Sequence, residues 1–207
     1  MRNTKEKVKQ TALKLFNEKG AHAVTTNHIS EEMKISPGNL YYHYKNKEEI
    51  IRSIYRDIID DFQETHQLLD ENSFSESFVS MFLSHASIYY RYRFFYLEMS
   101  MLLTRDKILY QMHSRNVESL MPKMNFMAEN IIKSGKSVKI DPKELKHLLL
   151  TGFVLTEFWI PHLFSTGREI TEKTVKEYIW NYFIMIKPYI APQASDLIEK
   201  RLKRELK

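Results

Sequence analysis

Apolar residues recur every three or four positions along most of the chain, the spacing that lines side chains up on one face of an α-helix. Between Thr4 and Lys19 the stripe is Val8, Ala12, Leu15 and Phe16, and Gly20 follows as a C-terminal cap. From Lys47 to about Leu69 it is Ile50, Ile54, Ile58 and Phe62. Ser73-x-x-Glu76 has the form of a capping box and opens the next helix. Arg91-Tyr92-Arg93 marks a junction, and Phe94 to Thr104 continues as an aromatic helix. Ser114 to Lys133 reads as another, closed by Gly135. Asp141-Pro142-x-Glu144 starts a helix that runs to about Phe164 and ends near Gly167, and Thr171 caps a last long one that reaches Lys187. The tail from Asp196 to Lys207 reads as a solvated amphipathic helix end. No run alternates with period two, and only five glycines and six prolines interrupt the chain. The pattern predicts an all-α fold.

One stretch breaks this rhythm of long helices. Residues 25–50, TTNHISEEMKISPGNLYYHYKNKEEI, read as two short helices joined by a tight turn, with a third starting straight after. Thr25 or Thr26 can cap the first, whose Ile29 and Met33 share an apolar face. Ser36-Pro37-Gly38 restarts the chain, with Ser as cap and Pro at the first helical position, where its missing N–H costs nothing. The second helix, roughly Pro37 to Tyr44, is too short to be stable alone. It carries almost no acid and presents Asn39, Tyr41, Tyr42, His43 and Lys45, an aromatic and hydrogen-bonding surface of the kind that enters a major groove. Lys47 then opens a long helix beside the positive end of its dipole, where a phosphate is favoured. This is a helix-turn-helix pattern, and its partner is double-stranded DNA. The expected DNA contacts are Thr26, Pro37, Gly38, Asn39, Tyr41, Tyr42, His43, Lys45 and Lys47. Of these, Thr26, Tyr42, Lys45 and Lys47 are placed on phosphates.

The segment resembles the N-terminal domain of the tetracycline-repressor (TetR) family. The shared positions are Phe16-x-x-x-Gly20, Thr25-Thr26-x-x-Ile29, Ile35-Ser36-Pro37-Gly38-x-Leu40-Tyr41-x-His43-Tyr44 and Lys47-Glu48-x-Ile50. Two positions depart from the family pattern: Ser30 replaces a common Ala, and Lys34 stands where the turn often has Gly. A lysine in a left-handed turn costs ~1 kcal/mol. More loosely, the chain is similar to a branch with SPGNLYYH in its recognition segment and an Arg-Phe-Phe cluster, here Arg93-Phe94-Phe95. The resemblance implies a three-helix DNA-binding domain over 1–46 and a helical effector-binding and dimerisation domain over 47–207. It also implies a transcriptional regulator, expected to be a repressor, that sits as a homodimer on a palindromic operator. Release would follow binding of a small apolar or amphipathic effector.

Composition narrows the alternatives. Residues 1–60 carry eleven Lys or Arg against eight Asp or Glu, so +3 of the formal +5 lies in under a third of the chain. Cysteine is absent, which excludes disulfides, thiolate metal sites and thiol redox sensing. The start of the chain is charged with no apolar segment after it, and no uncharged apolar run reaches 18 residues. The expectation is therefore a cytoplasmic protein without a membrane span. No Gly-rich phosphate loop and no His-Glu-x-x-His occurs, and His85, His113, His147 and His162 stand singly on helices. No enzyme activity, metal or cofactor is expected.

What remains conspicuous is aromatic density, with 12 Phe, 12 Tyr and 2 Trp. Tyr89, Tyr92, Phe95, Tyr96 and Met99, with Met124, Phe158 and Trp159 from later helices, read either as core or as the wall of a ligand chamber. The resemblance implies the chamber. Leu148, Gly152 and Leu155, with Ile179 and Phe183, supply wide apolar faces on the last two long helices. These can pack internally, or against a second chain as the resemblance implies. An effector-free DNA-binding protein, whose larger domain serves only dimerisation or protein contact, is the alternative reading.

Overall fold

Helices begin in this protein where a side chain takes over the N–H groups that the first turn leaves unpaired. In the computed structural model, which describes residues 2–66, 70 and 73–206, Thr25 accepts from His28 N, Ser36 from Asn39 N and Asp141 from both Lys143 N and Glu144 N. Thr171 closes a reciprocal box with Thr174. The described residues form α1 (Arg2–Lys19), α2 (Thr26–Glu32), α3 (Pro37–His43), α4 (Lys47–His66), α5 (Phe74–Arg91) and α6 (Arg93–Arg105). Then follow α7 (Lys107–Lys133), α8 (Pro142–Ser165), α9 (Glu172–Ile186) and α10 (Pro192–Glu205). A 3₁₀ turn, Lys187–Tyr189, stands between the last two. The all-α expectation holds.

The chain packs as two units: residues through Asp60 with Tyr92–Met112, and Asp61–Arg91 with His113–Lys207. The sequence reading had placed a single boundary after residue 46. Two insertions explain the difference. α4 seals the N-terminal helices with Ile50 and Ile54, both essentially without solvent contact. α6 threads into the same core, where Phe94 meets Phe16 at 5.2 Å and Phe95 meets Tyr55 at 5.0 Å between ring centroids. Polar groups fix α6 further: Asn17 Oδ1 accepts from Phe94 N at 3.1 Å, and Glu98 accepts from His22 N at 3.0 Å. α7 begins at Lys107, earlier than the expected Ser114, because Asp106 accepts from Ile108 N and Leu109 N. The same carboxylate holds Arg52 of α4 at 2.6 Å.

In the second unit α5 packs on α9 and α10, and α8 packs on α9. Gly152 permits the α8–α9 approach, since a methyl group there would lie 2.6 Å from the Tyr182 ring. α8 is long and apolar enough, by composition, to cross a membrane, a point the charge-free criterion had passed over; here it lies along α9. The C-terminal tail is not a solvated end. Ile198 and Leu202 of α10 are fully buried, and Arg201 pairs with Glu76 and donates to Ser80 at 2.9 Å on α5. Glu76 is thereby taken from its expected capping box, and Ser73 donates to Asp70 instead. The end of α4 expected over 67–69 lies outside the described residues. Before α8 the loop pairs with the turn after α9, through a single bridge between Ser137 and Ile190.

The turn between α2 and α3 contains a non-glycine residue in left-handed backbone, Lys34 at φ 55°. A side chain is strained there by contact between Cβ and the following carbonyl. Lys34→Gly is therefore expected to raise stability by about 0.5–1 kcal/mol, net of the greater freedom glycine gives the unfolded chain. Chemical denaturation measures it, and an unchanged or lower midpoint counts against strain at this turn.

Candidate nucleic-acid interface and the interior of the second unit

α3 is two turns long, and one side chain anchors it: Leu40, with no solvent contact. Tyr44 just beyond is also buried, with the Lys5 ammonium 5.0 Å from its ring centre. On the other face Asn39, Tyr41 and Tyr42 stand exposed, Tyr42 by 71%. Tyr41 and Thr26 hydroxyls lie 3.0 Å apart, tying the start of α2 to α3. Tyr42 and His43 rings meet edge-on at 5.1 Å. Gly38 needs no special backbone angle, and a side chain there would meet only the Ser36 hydroxyl at 4.0 Å, so the chain's own packing does not demand glycine. Thr26, Pro37, Gly38, Asn39, Tyr41, Tyr42, His43 and Lys45 thus lie together at one end of the first unit.

Lys47 differs from the rest. Its ammonium donates to the carbonyls of Ala21 at 2.6 Å and Val24 at 2.8 Å, and burial lowers its pKa. Two of its three donors hold the loop before α2, so its first role is to position that loop. Lys45 is exposed, and its N–H donates to Glu49 at 2.7 Å.

The expected effector residues do not come together. Tyr92, Phe95, Tyr96 and Met99 are buried in the first unit, where α6 serves as core. Tyr89, Met124, Phe158 and Trp159 belong to the second unit. There Phe158 is half exposed on the surface of α8, and Trp159 donates from Nε1 to Thr174 O at 3.0 Å. Met124 is half-buried on α7, and no residue from 113 to 133 reaches full burial. The expected dimer residues also divide. Ile179 and Phe183 are fully buried in the chain's own core, and Gly152 faces Tyr182 of the same chain. Helical periodicity alone could not tell which stripe pointed inward. Leu148 and Leu155 are half-buried, while Leu150, Val154 and Phe158 of α8 and Ile184 of α9 form the exposed apolar face.

The interior of the second unit holds groups that the sequence reading passed over. Tyr178 donates to Phe82 O at 3.2 Å, and the rings of Tyr89 and Tyr178 meet edge-on at 5.8 Å. Tyr182 stacks on Phe82 at 4.5 Å, and burial pushes its phenol up to about 12. Glu157 is half-buried in this region, and burial pushes its carboxyl up to about 7. Its charge also bears on Tyr89, whose phenol burial raises most. A sequence signal for Glu157 existed: it is the only acid between Glu144 and Glu169, in an otherwise apolar helix.

Two family models match the chain. One, described as bacterial regulatory proteins of the tetR family, covers residues 10–54; the other, TetR, described as a bacterial transcriptional repressor, covers residues 51–198. The chain belongs to the TetR family of transcriptional regulators, whose members are not enzymes. Among curated relatives, the biofilm operon negative regulator IcaR of Staphylococcus epidermidis is 48% identical over 48 residues, 23% of this chain and 26% of IcaR. The chain thus matches only about a quarter of that relative's length. A TetR-family regulator from Marinobacter aquaeolei superposes with a TM-score of 0.87 at 24% identity, over 97% of this chain and 98% of the other. The SmeT–triclosan complex superposes with a TM-score of 0.65 at 14% identity, over 93% and 94%.

Glu157 gives the second unit a pH-dependent stability. Its carboxyl titrates near 7 in the folded chain against an ordinary 4.5, so from about pH 4.5 to 7 the folded state keeps a proton that the unfolded state has released. Stability then falls as pH rises through that window and levels off above it. Glu157→Gln, which mimics the protonated form, should gain about 1–3 kcal/mol over wild type at pH 8 and almost nothing at pH 4.5. Parallel melting curves for both proteins from pH 4.5 to pH 8 that never converge would contradict this.

Proposed function

We propose that this protein is a transcriptional repressor that reads a palindromic operator as a homodimer through α3. The observation that carries the reading is α3 itself: a helix pinned by Leu40 that turns Asn39, Tyr41 and Tyr42 outward. Asn39 offers the paired donor and acceptor that adenine's major-groove edge matches. Tyr42, Lys45 and the Thr26 hydroxyl lie where phosphates flank the groove, and Gly38 leaves room for a close backbone approach. Lys47 acts from behind by holding the loop before α2, with one donor left for a phosphate. Acting on chromosomal DNA, the protein works in the cytoplasm.

One α3 covers too few base pairs to be selective, so two copies are required. The exposed face of α8 and α9, with Leu150, Val154, Phe158 and Ile184, is the surface a second copy would cover. The effector site lies in the second unit, around Tyr89, Tyr178, Tyr182 and Glu157, and takes a small apolar or amphipathic molecule. The SmeT–triclosan complex shows a protein of the same fold holding such a compound. Both α4 and α7 have residues in each unit, so either can carry a change in one to the other. The ligand shifts operator binding only by its differential affinity for the two states, typically ~1–3 kcal/mol.

The operator is obtained by selecting bound duplexes from a random library. On it, Tyr42→Ala should weaken binding to every duplex, whereas Asn39→Ala should cost about 1–3 kcal/mol on the selected site and relax base preference at one position. Fluorescence anisotropy measures both, and equal affinity of wild type and Tyr42→Ala would remove α3 from the interface. Val154→Glu should convert a dimer into a folded monomer, because an unpaired charge buried at an interface costs several kcal/mol. Ile179→Glu should unfold the chain instead. Sedimentation and circular dichroism separate the two outcomes, and a Val154→Glu dimer would move the interface elsewhere.

A further inference from the structure

We infer that the side chains around Glu157 form a subsite for a monovalent organic cation, so that the effector is an amphipathic amine or ammonium compound. The inference rests on the effector reading above and names the chemistry of its ligand. Glu157 makes neither hydrogen bond nor ion pair within the described chain, and no lysine or arginine offsets its charge. Its backbone carbonyl is short of a donor too, because Pro161 stands four residues on within α8 and has no N–H to give. Nearby Tyr182, nine-tenths buried, has a hydroxyl with no hydrogen-bond partner. Three acceptor oxygens thus stand unsatisfied in one region, against a general rule that buried polar groups find partners.

The surroundings are ring faces. Tyr182 lies on Phe82, Tyr89 lies edge-on to both Phe62 and Tyr178, and Tyr89 is itself satisfied by Thr156. Aromatic faces attract cations and accept an apolar body equally well. A neutral lipophile would leave the carboxylate buried and unpaired, and an anion would be repelled. A divalent metal needs several ligands, and no cluster of three metal-binding side chains occurs among the described residues. A single positive charge on an apolar frame meets every one of these groups.

The test uses full-length protein and follows its tryptophans, Trp159 and Trp180, both on helices of this unit. Benzyltrimethylammonium is titrated beside its neutral carbon isostere, neopentylbenzene. Wild type is expected to bind the cation at least about tenfold more tightly. Glu157→Gln should lose that preference while holding the neutral compound within about twofold and keeping operator affinity, which shows it folded. Equal binding of the two compounds by wild type, or a preference that survives in Glu157→Gln, overturns the inference. If both compounds bind equally and both release the operator, the ligand-responsive reading survives without the cation subsite. If neither binds and no lipophile in a broad screen releases the operator, both fall together.

Discussion

A helix of two turns has no stability of its own, and the DNA-reading surface of this protein is such a helix. Everything around α3 compensates for that. Leu40 inserts into the core of the first unit, Ser36 and Pro37 shape its start, and the Thr26–Tyr41 contact fastens it to α2. The Lys47 ammonium fixes the loop before α2 from beneath. The outward side chains are thereby freed from any structural duty and can be chosen for their chemistry. Because the pins come from α2, α4 and the intervening loops, the reading head is as rigid as the unit that carries it.

How much of this the sequence disclosed depended on whether the determining signal was local. The caps at Thr25, Ser36, Asp141 and Thr171 and the junction at Tyr92 were legible because each is written in three or four consecutive residues. The start of α7 was missed because Asp106 is one carboxylate in a polar stretch, and its role emerges only with Arg52 beside it. The same limit governed the long helices. An apolar stripe on α9 announces a buried face without saying what buries it, and Ile179 and Phe183 turned inward where a partner surface was expected. α6 misled for a related reason: its aromatic cluster suggested a chamber wall, yet Phe94 and Phe95 belong to the core shared with α1 and α4. Glu157 was readable as an isolated acid in an apolar helix, but its significance lies in having no partner, which only coordinates reveal.

The two units solve opposite problems. In the first, polar groups such as Asn17, Glu98 and Asp106 are each matched to a donor, leaving one arrangement favoured over its neighbours. In the second, α8 and α9 touch so closely at Gly152 that their spacing is set, while α7 stays half exposed along residues 113–133. A unit with a fixed spine and a loosely packed wall can admit a guest without coming apart.

Asp106 links these helices in time as well as in space. One carboxylate closes the first turn of α7 and also grips Arg52 in α4, so the end of α7 cannot fray without releasing that arginine. Solvent reaches the amides of Ile108 and Leu109 only when both attachments open at once. Hydrogen exchange at those two amides therefore reports a concerted loosening of α4 and α7, slower than the fraying of an ordinary helix end.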